Sequence, residues 1–201
     1  MGNRRDHLGN MDSGAIRADD QCPLYEVPGP WDMTSALEKN FPCLKFHPPT
    51  MPNVITNLRQ LEADYSVFYR KLRAFHWNVN GPQFFTLHTK FEELYNAFNL
   101  KVDELAERVL TLGGNPIPTY KSVLEMTRLA ECSDMPDAIG MVTELYNDLK
   151  RLNGWTRETI AVAEESNDIG TSSMLEDFAV SGEKEAWMLR SFLGKTESVN
   201  A

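Results

Sequence analysis

Apolar side chains at alternating spacings of 3 and 4 constrain this chain more than any other feature. Leu58, Leu61, Tyr65, Phe68, Leu72 and Phe75 follow one another at steps of 3, 4, 3, 4 and 3. That is one stripe along five turns of helix. Asn80-Gly81-Pro82 breaks it, and a second stripe runs through Leu87, Phe91, Leu94, Phe98, Val102, Leu105, Val109 and Leu112 until Gly113-Gly114 stops it. After the loop NPIPTY the pattern predicts a short helix around Ser122–Ala130. A third long helix is predicted from Pro136 to near Asn167, with Met141, Leu145, Leu149, Leu152, Thr156, Ile160 and Ala163 inward. The fourth runs from about Ser172 to Phe192, with Leu175, Phe178, Ala186 and Leu189 inward. No segment alternates with the period of 2 that a half-buried strand needs. The expectation is an all-α four-helix bundle with a short extra helix between the second and third.

Proline sets the boundary of that bundle. Seven of the 11 prolines fall before residue 53, so residues 1–52 are expected to form an extended N-terminal arm. Thr34 could cap one short helix there, and Trp31, Leu37, Phe41, Leu44 and Phe46 could anchor the arm on a surface. The bundle is assigned to 53–193 and a short tail to 194–201. At 201 residues, the chain is long enough to bury a core without disulfides. Its cysteines (Cys22, Cys43, Cys132) are odd in number and widely spaced. They suit a reducing compartment, and the cytoplasm is expected. The opening MGNRRDHLGNMDSG has no apolar region of a secretory signal, and no stretch approaches the ~18 apolar residues of a membrane span.

Charge narrows the class of partner. Twenty basic against 29 acidic residues leave a formal −9, which opposes nucleic acid and favours cations. The second helix and the turn before it hold the groups to receive one. His76 and His88 lie there, with Glu92, Glu93, Asp103, Glu104 and Glu107. Residues four apart share a helix face, so His88 pairs with Glu92, and Asp103 with Glu107. Imidazole with carboxylate suits iron, manganese or zinc. Lys90, Lys101 and Arg108 stand near enough to make the same carboxylates an ordinary solvated face, so both readings stand at this point. A di-iron site inside one bundle is excluded, because it needs Glu-x-x-His. The residues three before the four histidines are Arg4, Leu44, Arg73 and Phe85. HExxH, CxxC, GxGxxG, Walker-type and GxSxG motifs are also missing from the sequence.

The segment AFHWNVNGPQFFTLHTKFEELYNAFNLKVDELAERVLTLGG, residues 74–114, resembles the signature of the Dps family of mini-ferritins. The likeness rests on His-Trp, the Gly-Pro turn, Leu-His, Phe-Glu-Glu-x-Tyr and Asp-Glu-x-Ala-Glu-Arg at matching separations. It extends over about residues 53–193 and leaves the arm outside. The resemblance implies a ferritin-like dodecamer that oxidises Fe(II) to Fe(III) with hydrogen peroxide or dioxygen, at ferroxidase sites on two-fold dimer interfaces. It assigns His76, His88, Glu92, Asp103 and Glu107 as metal ligands and catalytic residues. At position 92 the family more often has Asp. It also implies acidic three-fold pores at the junction of the third and fourth helices. Glu164, Glu165, Asp168, Glu176 and Asp177 either line such a pore or form a solvated helix end.

Helix geometry bears on the ligand set independently. With a rise of ~1.5 Å per residue, Asp103 lies ~22 Å from His88 and ~16 Å from Glu92 along one helix. A single ion with ~2 Å bonds cannot span that distance. If both pairs share an ion, two chains must cross antiparallel, and a two-fold dimer then builds two equivalent sites. Other residues keep plainer readings. Trp77 fits an electron relay or a packed dimer contact, while Tyr65, Tyr69 and Tyr95 read as core or interface. His7 and His47 fit a metal entry site or, by default, solvated or satisfied histidines. The alternative function is a nucleoid DNA-binding protein, which requires a basic tail. Residues 1–52 carry five basic and seven acidic residues, net −2, so DNA binding is not expected.

Overall fold

The computed structural model describes residues 51–194, and these form five helices with no strand among them. The expectations for the arm, including the helix near Thr34, the anchors Trp31 to Phe46, His7 and His47, lie outside the described residues, as does nearly all of the tail. The helices are α1 (Pro52–Asn78), α2 (Phe84–Thr111), α3 (Tyr120–Met126), α4 (Ala138–Glu165) and α5 (Ile169–Phe192). Four are long and one is short, in the order the apolar stripes predict. No helix among the described residues is long and apolar enough to cross a membrane.

The stripes become the core. All six stripe residues of α1, from Leu58 to Phe75, are buried. On α2 the inward residues Leu87, Phe91, Leu94, Phe98, Leu105 and Val109 are buried, and Val102 packs at the margin. Phe98 joins the layers, with its ring centroid 4.6 Å from Phe68 and 5.4 Å from Tyr65. Tyr65 also reaches Phe178 of α5, at 5.8 Å. Its hydroxyl hydrogen-bonds Thr156 of α4 at 2.9 Å, which satisfies two polar groups inside the core. Lys71 is buried too, and its Nζ donates to Glu144 and Asp148 of α4, each at 2.6 Å. The ion pairs hold α1 and α4 in one register, since a slip would strand a buried charge.

Helix ends depart from the sequence expectation where side chains compete for backbone groups. Pro52, counted with the arm, is the first residue of α1; proline fits there because a first-turn N–H has no helical partner. The short helix ends at Met126, not near Ala130, because buried Asp64 captures the next two residues. Its carboxylate accepts from the Arg128 backbone N–H at 2.6 Å, the Thr127 hydroxyl, and Arg128 Nε and Nη2. The third long helix starts at Ala138, where Asp137 accepts from the Gly140 N–H at 2.7 Å. It ends at Glu165, and Asn167 then takes a left-handed φ of 54°. The last helix starts at Ile169, one turn earlier than expected, because Asp168 caps it through the Thr171 N–H at 3.1 Å.

Candidate metal centre

α1 and α2 form a hairpin closed by Asn80-Gly81-Pro82, and Gly81 supplies the turn with a φ of 94° that costs other residues strain. The turn brings His76, at the end of α1, against His88, at the start of α2. Their rings stack with centroids 3.8 Å apart and planes inclined by 22°. The contact is reciprocal. His76 Nδ1 donates to the backbone carbonyl of His88 at 2.8 Å, and His88 Nδ1 donates to that of His76 at 2.9 Å. A carbonyl can only accept, so each Nδ1 carries a proton, and a neutral ring in that tautomer has its lone pair on Nε2. This is how metal-binding histidines are oriented by a second hydrogen bond. Phe84 stacks on His88 with centroids 4.9 Å apart.

The carboxylates stand on the solvent side of α2. Glu92, Asp103 and Glu107 are exposed, and at ~100° per residue the eleven steps from Glu92 to Asp103 make just over three whole turns. Both therefore share a face, ~16 Å apart. The cations that could have neutralised this face are engaged elsewhere. Lys90 pairs with Glu185 at 2.8 Å and Glu93 at 3.5 Å. Lys101 Nζ donates to Ser181 at 2.6 Å between the rings of Phe98 and Phe178. Burial there brings its pKa down to about 8, against the upward pull of Glu185 and Glu104. Arg108 crosses to α5, donating to Asp168 at 2.5 Å and Thr171 at 2.9 Å. Among the described residues, no three His, Cys, Asp or Glu side chains gather into a metal cage within one chain. The structure thus joins His76 to His88 directly, and leaves Asp103 and Glu107 remote from them.

Asp168 stands differently from its sequence reading, and Tyr95 makes contacts that its reading did not include. Asp168, one candidate for the pore, is buried and structural: it caps α5 and pairs with Arg108. Burial pushes its pKa up, but hydrogen bonds from Thr171 and the Arg108 charge outweigh this and hold it below the ordinary carboxylate value. Tyr95, read as core or interface, is half-buried and touches the centre. Its ring meets His76 edge-on at 5.3 Å, and its hydroxyl donates to Glu92 at 3.4 Å. The signal was its place one helical turn after Glu92.

An all-helical bundle with an imidazole pair and a row of carboxylates on one hairpin defines a ferritin-like protein. Residues 55–199 match the ferritin-like domain family. DNA protection during starvation protein 2 of Bacillus anthracis is 43% identical over 142 residues, covering 71% of this chain and 97% of its own length. The crystal structure of a Dps protein from Bacillus brevis superposes with a TM-score of 0.70 at 43% identity, over 72% of this chain and 97% of that one. A Dps protein from Vibrio cholerae, described as a member of a broad superfamily of ferritin-like diiron-carboxylate proteins, has a TM-score of 0.70 at 37% identity, over 72% of this chain and 91% of its own. The chain belongs to the Dps family of ferritin-like proteins.

Proposed function

We propose that this protein is a ferroxidase and iron store. Fe(II), the substrate, binds at a site shared by two chains, with His76, His88 and Glu92 from one and Asp103 and Glu107 from its partner. The observation that carries this reading is the reciprocal bonding of the two histidines, which commits both Nδ1 atoms and frees both Nε2 atoms. Neutral imidazoles hold Fe(II), while the carboxylates favour the harder ferric product. With hydrogen peroxide, two Fe(II) each give one electron, the O–O bond breaks, and two waters complete two FeOOH and four protons. Dioxygen takes four electrons from four Fe(II) instead. Fe(III) oxyhydroxide collects within a closed shell of twelve chains built from two-fold dimers, in the cytoplasm.

Several relatives are named for DNA protection. For this chain we assign that protection to chemistry: removing Fe(II) and peroxide together leaves nothing to generate hydroxyl radical near DNA. A formal −9 gives phosphate no electrostatic attraction. Stopped-flow oxidation of Fe(II) tests the site. His76→Ala and Asp103→Ala should each slow it severely, and variants that both run at the wild-type rate would refute the assignment.

A further inference from the structure

We propose that Tyr95 is a positioning residue that holds the Glu92 carboxylate and the His76 ring in the geometry that receives the metal. The inference rests on the ferroxidase reading above. Glu92 is exposed, and a glutamate has one more side-chain torsion than an aspartate to immobilise when it binds an ion. The structure supplies a tether for it. Tyr95 lies three residues on, on the adjoining face of α2, and its hydroxyl donates to Glu92 Oε1 at 3.4 Å, a long bond.

The tyrosine is itself held from three sides. Its ring packs edge-on against His76, with centroids 5.3 Å apart and planes at 77°. Tyr69 of α1 meets it at 6.4 Å. The Arg73 guanidinium lies 5.6 Å from the ring centre and donates to the Tyr69 hydroxyl at 2.9 Å. α1 thus packs against the Tyr95 ring, whose hydroxyl is directed at the exposed Glu92 carboxylate. One side chain thereby couples the imidazole at the end of α1 to the acid on α2. A ring that only filled space would act identically as phenylalanine.

A double-mutant cycle in the full-length protein separates these roles. The variants are Tyr95→Phe, Glu92→Asp and the pair together, and the probe is Co(II) alone, followed by its visible absorption. Fe(II) oxidation and thermal melting are measured beside it. Tyr95→Phe should weaken Co(II) binding and raise KM for Fe(II) roughly three- to tenfold, with kcat and melting temperature little changed. In the Glu92→Asp background the carboxylate retreats by one carbon–carbon bond from a contact already long. The same Tyr95→Phe change should then cost less than about twofold. Wild-type Co(II) affinity in Tyr95→Phe would overturn the proposal, and so would equal losses in both backgrounds. His88→Ala distinguishes the two levels of the reading. If it binds Co(II) and oxidises Fe(II) like wild type, the site reading fails and this inference with it. If His88→Ala loses binding while Tyr95→Phe does not, only the role of Tyr95 fails.

Discussion

At the level of single side chains, the chemistry depends on which partners have already been taken. Lys90, Lys101 and Arg108 lie among the acids of α2, yet each bonds to α5, and among the described residues no cation pairs with Asp103 or Glu107. Arg108 directs its charge at Asp168, which in turn caps α5. The folded pKa of Asp168 lies below that of a free aspartate, ~3.9. Its ionised form therefore contributes stability above that pH, and the contribution disappears as pH falls through the folded value. Asp168→Asn should cost about 1 kcal/mol at neutral pH through the weakened cap and lost ion pair, and the cost should shrink below about pH 4. Urea titrations of both proteins between about pH 7 and pH 3 check this. A cost unchanged across the range would show that the charge of Asp168 is not what stabilises the junction.

At the level of helices, the α1–α2 hairpin carries the candidate centre and the α4–α5 hairpin buttresses it. The second hairpin closes through Gly182. The Asn153 side-chain amide oxygen, Oδ1, fills the space where a side chain would stand, and a Cβ on Gly182 would overlap it. That oxygen is buried with no hydrogen-bond partner among the described residues, so close approach of the helices leaves it a bare acceptor there. Gly182→Ala should destabilise the bundle by about 1–3 kcal/mol through overpacking. Adding Asn153→Ala should recover part of the loss, because the obstructing amide is gone. Denaturant midpoints measure both effects, and a Gly182→Ala protein as stable as wild type would show that the two helices can separate freely here.

At the level of the whole molecule, the ~16 Å between Glu92 and Asp103 on one rigid helix makes assembly a condition of activity under the proposed reading. Twelve chains of 22.8 kDa would weigh about 270 kDa by light scattering. A protein found only as monomer or dimer would contradict the shell. Shared sites are tested more sharply by mixing subunits. His76→Ala/His88→Ala chains and Asp103→Ala/Glu107→Ala chains should each be inactive alone. Co-assembled in equal amounts, half of the dimers are mixed and each mixed dimer holds one intact site. The oxidation rate should therefore return to about a quarter of wild type. No recovery in fully assembled shells would mean that the ligands do not come from two chains.

Helix number, order and inward faces were legible in the sequence because burial of an amphipathic stripe is a local, periodic property. Every stripe position from Leu58 to Phe75 is buried where the 3.6-residue period puts it. The expected pairing of His88 with Glu92 along α2 comes from the same period, and resemblance supplied the rest of the proposed ligand set. The features that could not be read this way depend on groups distant in sequence. Asp64 ends α3 by capturing Arg128, 64 positions later. Asp168 looked like one more surface acid until Arg108, 60 positions earlier, was found bonded to it. The stacked histidines and their exchanged carbonyl bonds exist only because the Asn80–Pro82 turn folds α1 back along α2. Periodicity determines which side of a helix is inward; only tertiary packing decides which polar groups find each other, since that depends on distances across helices that no local spacing encodes.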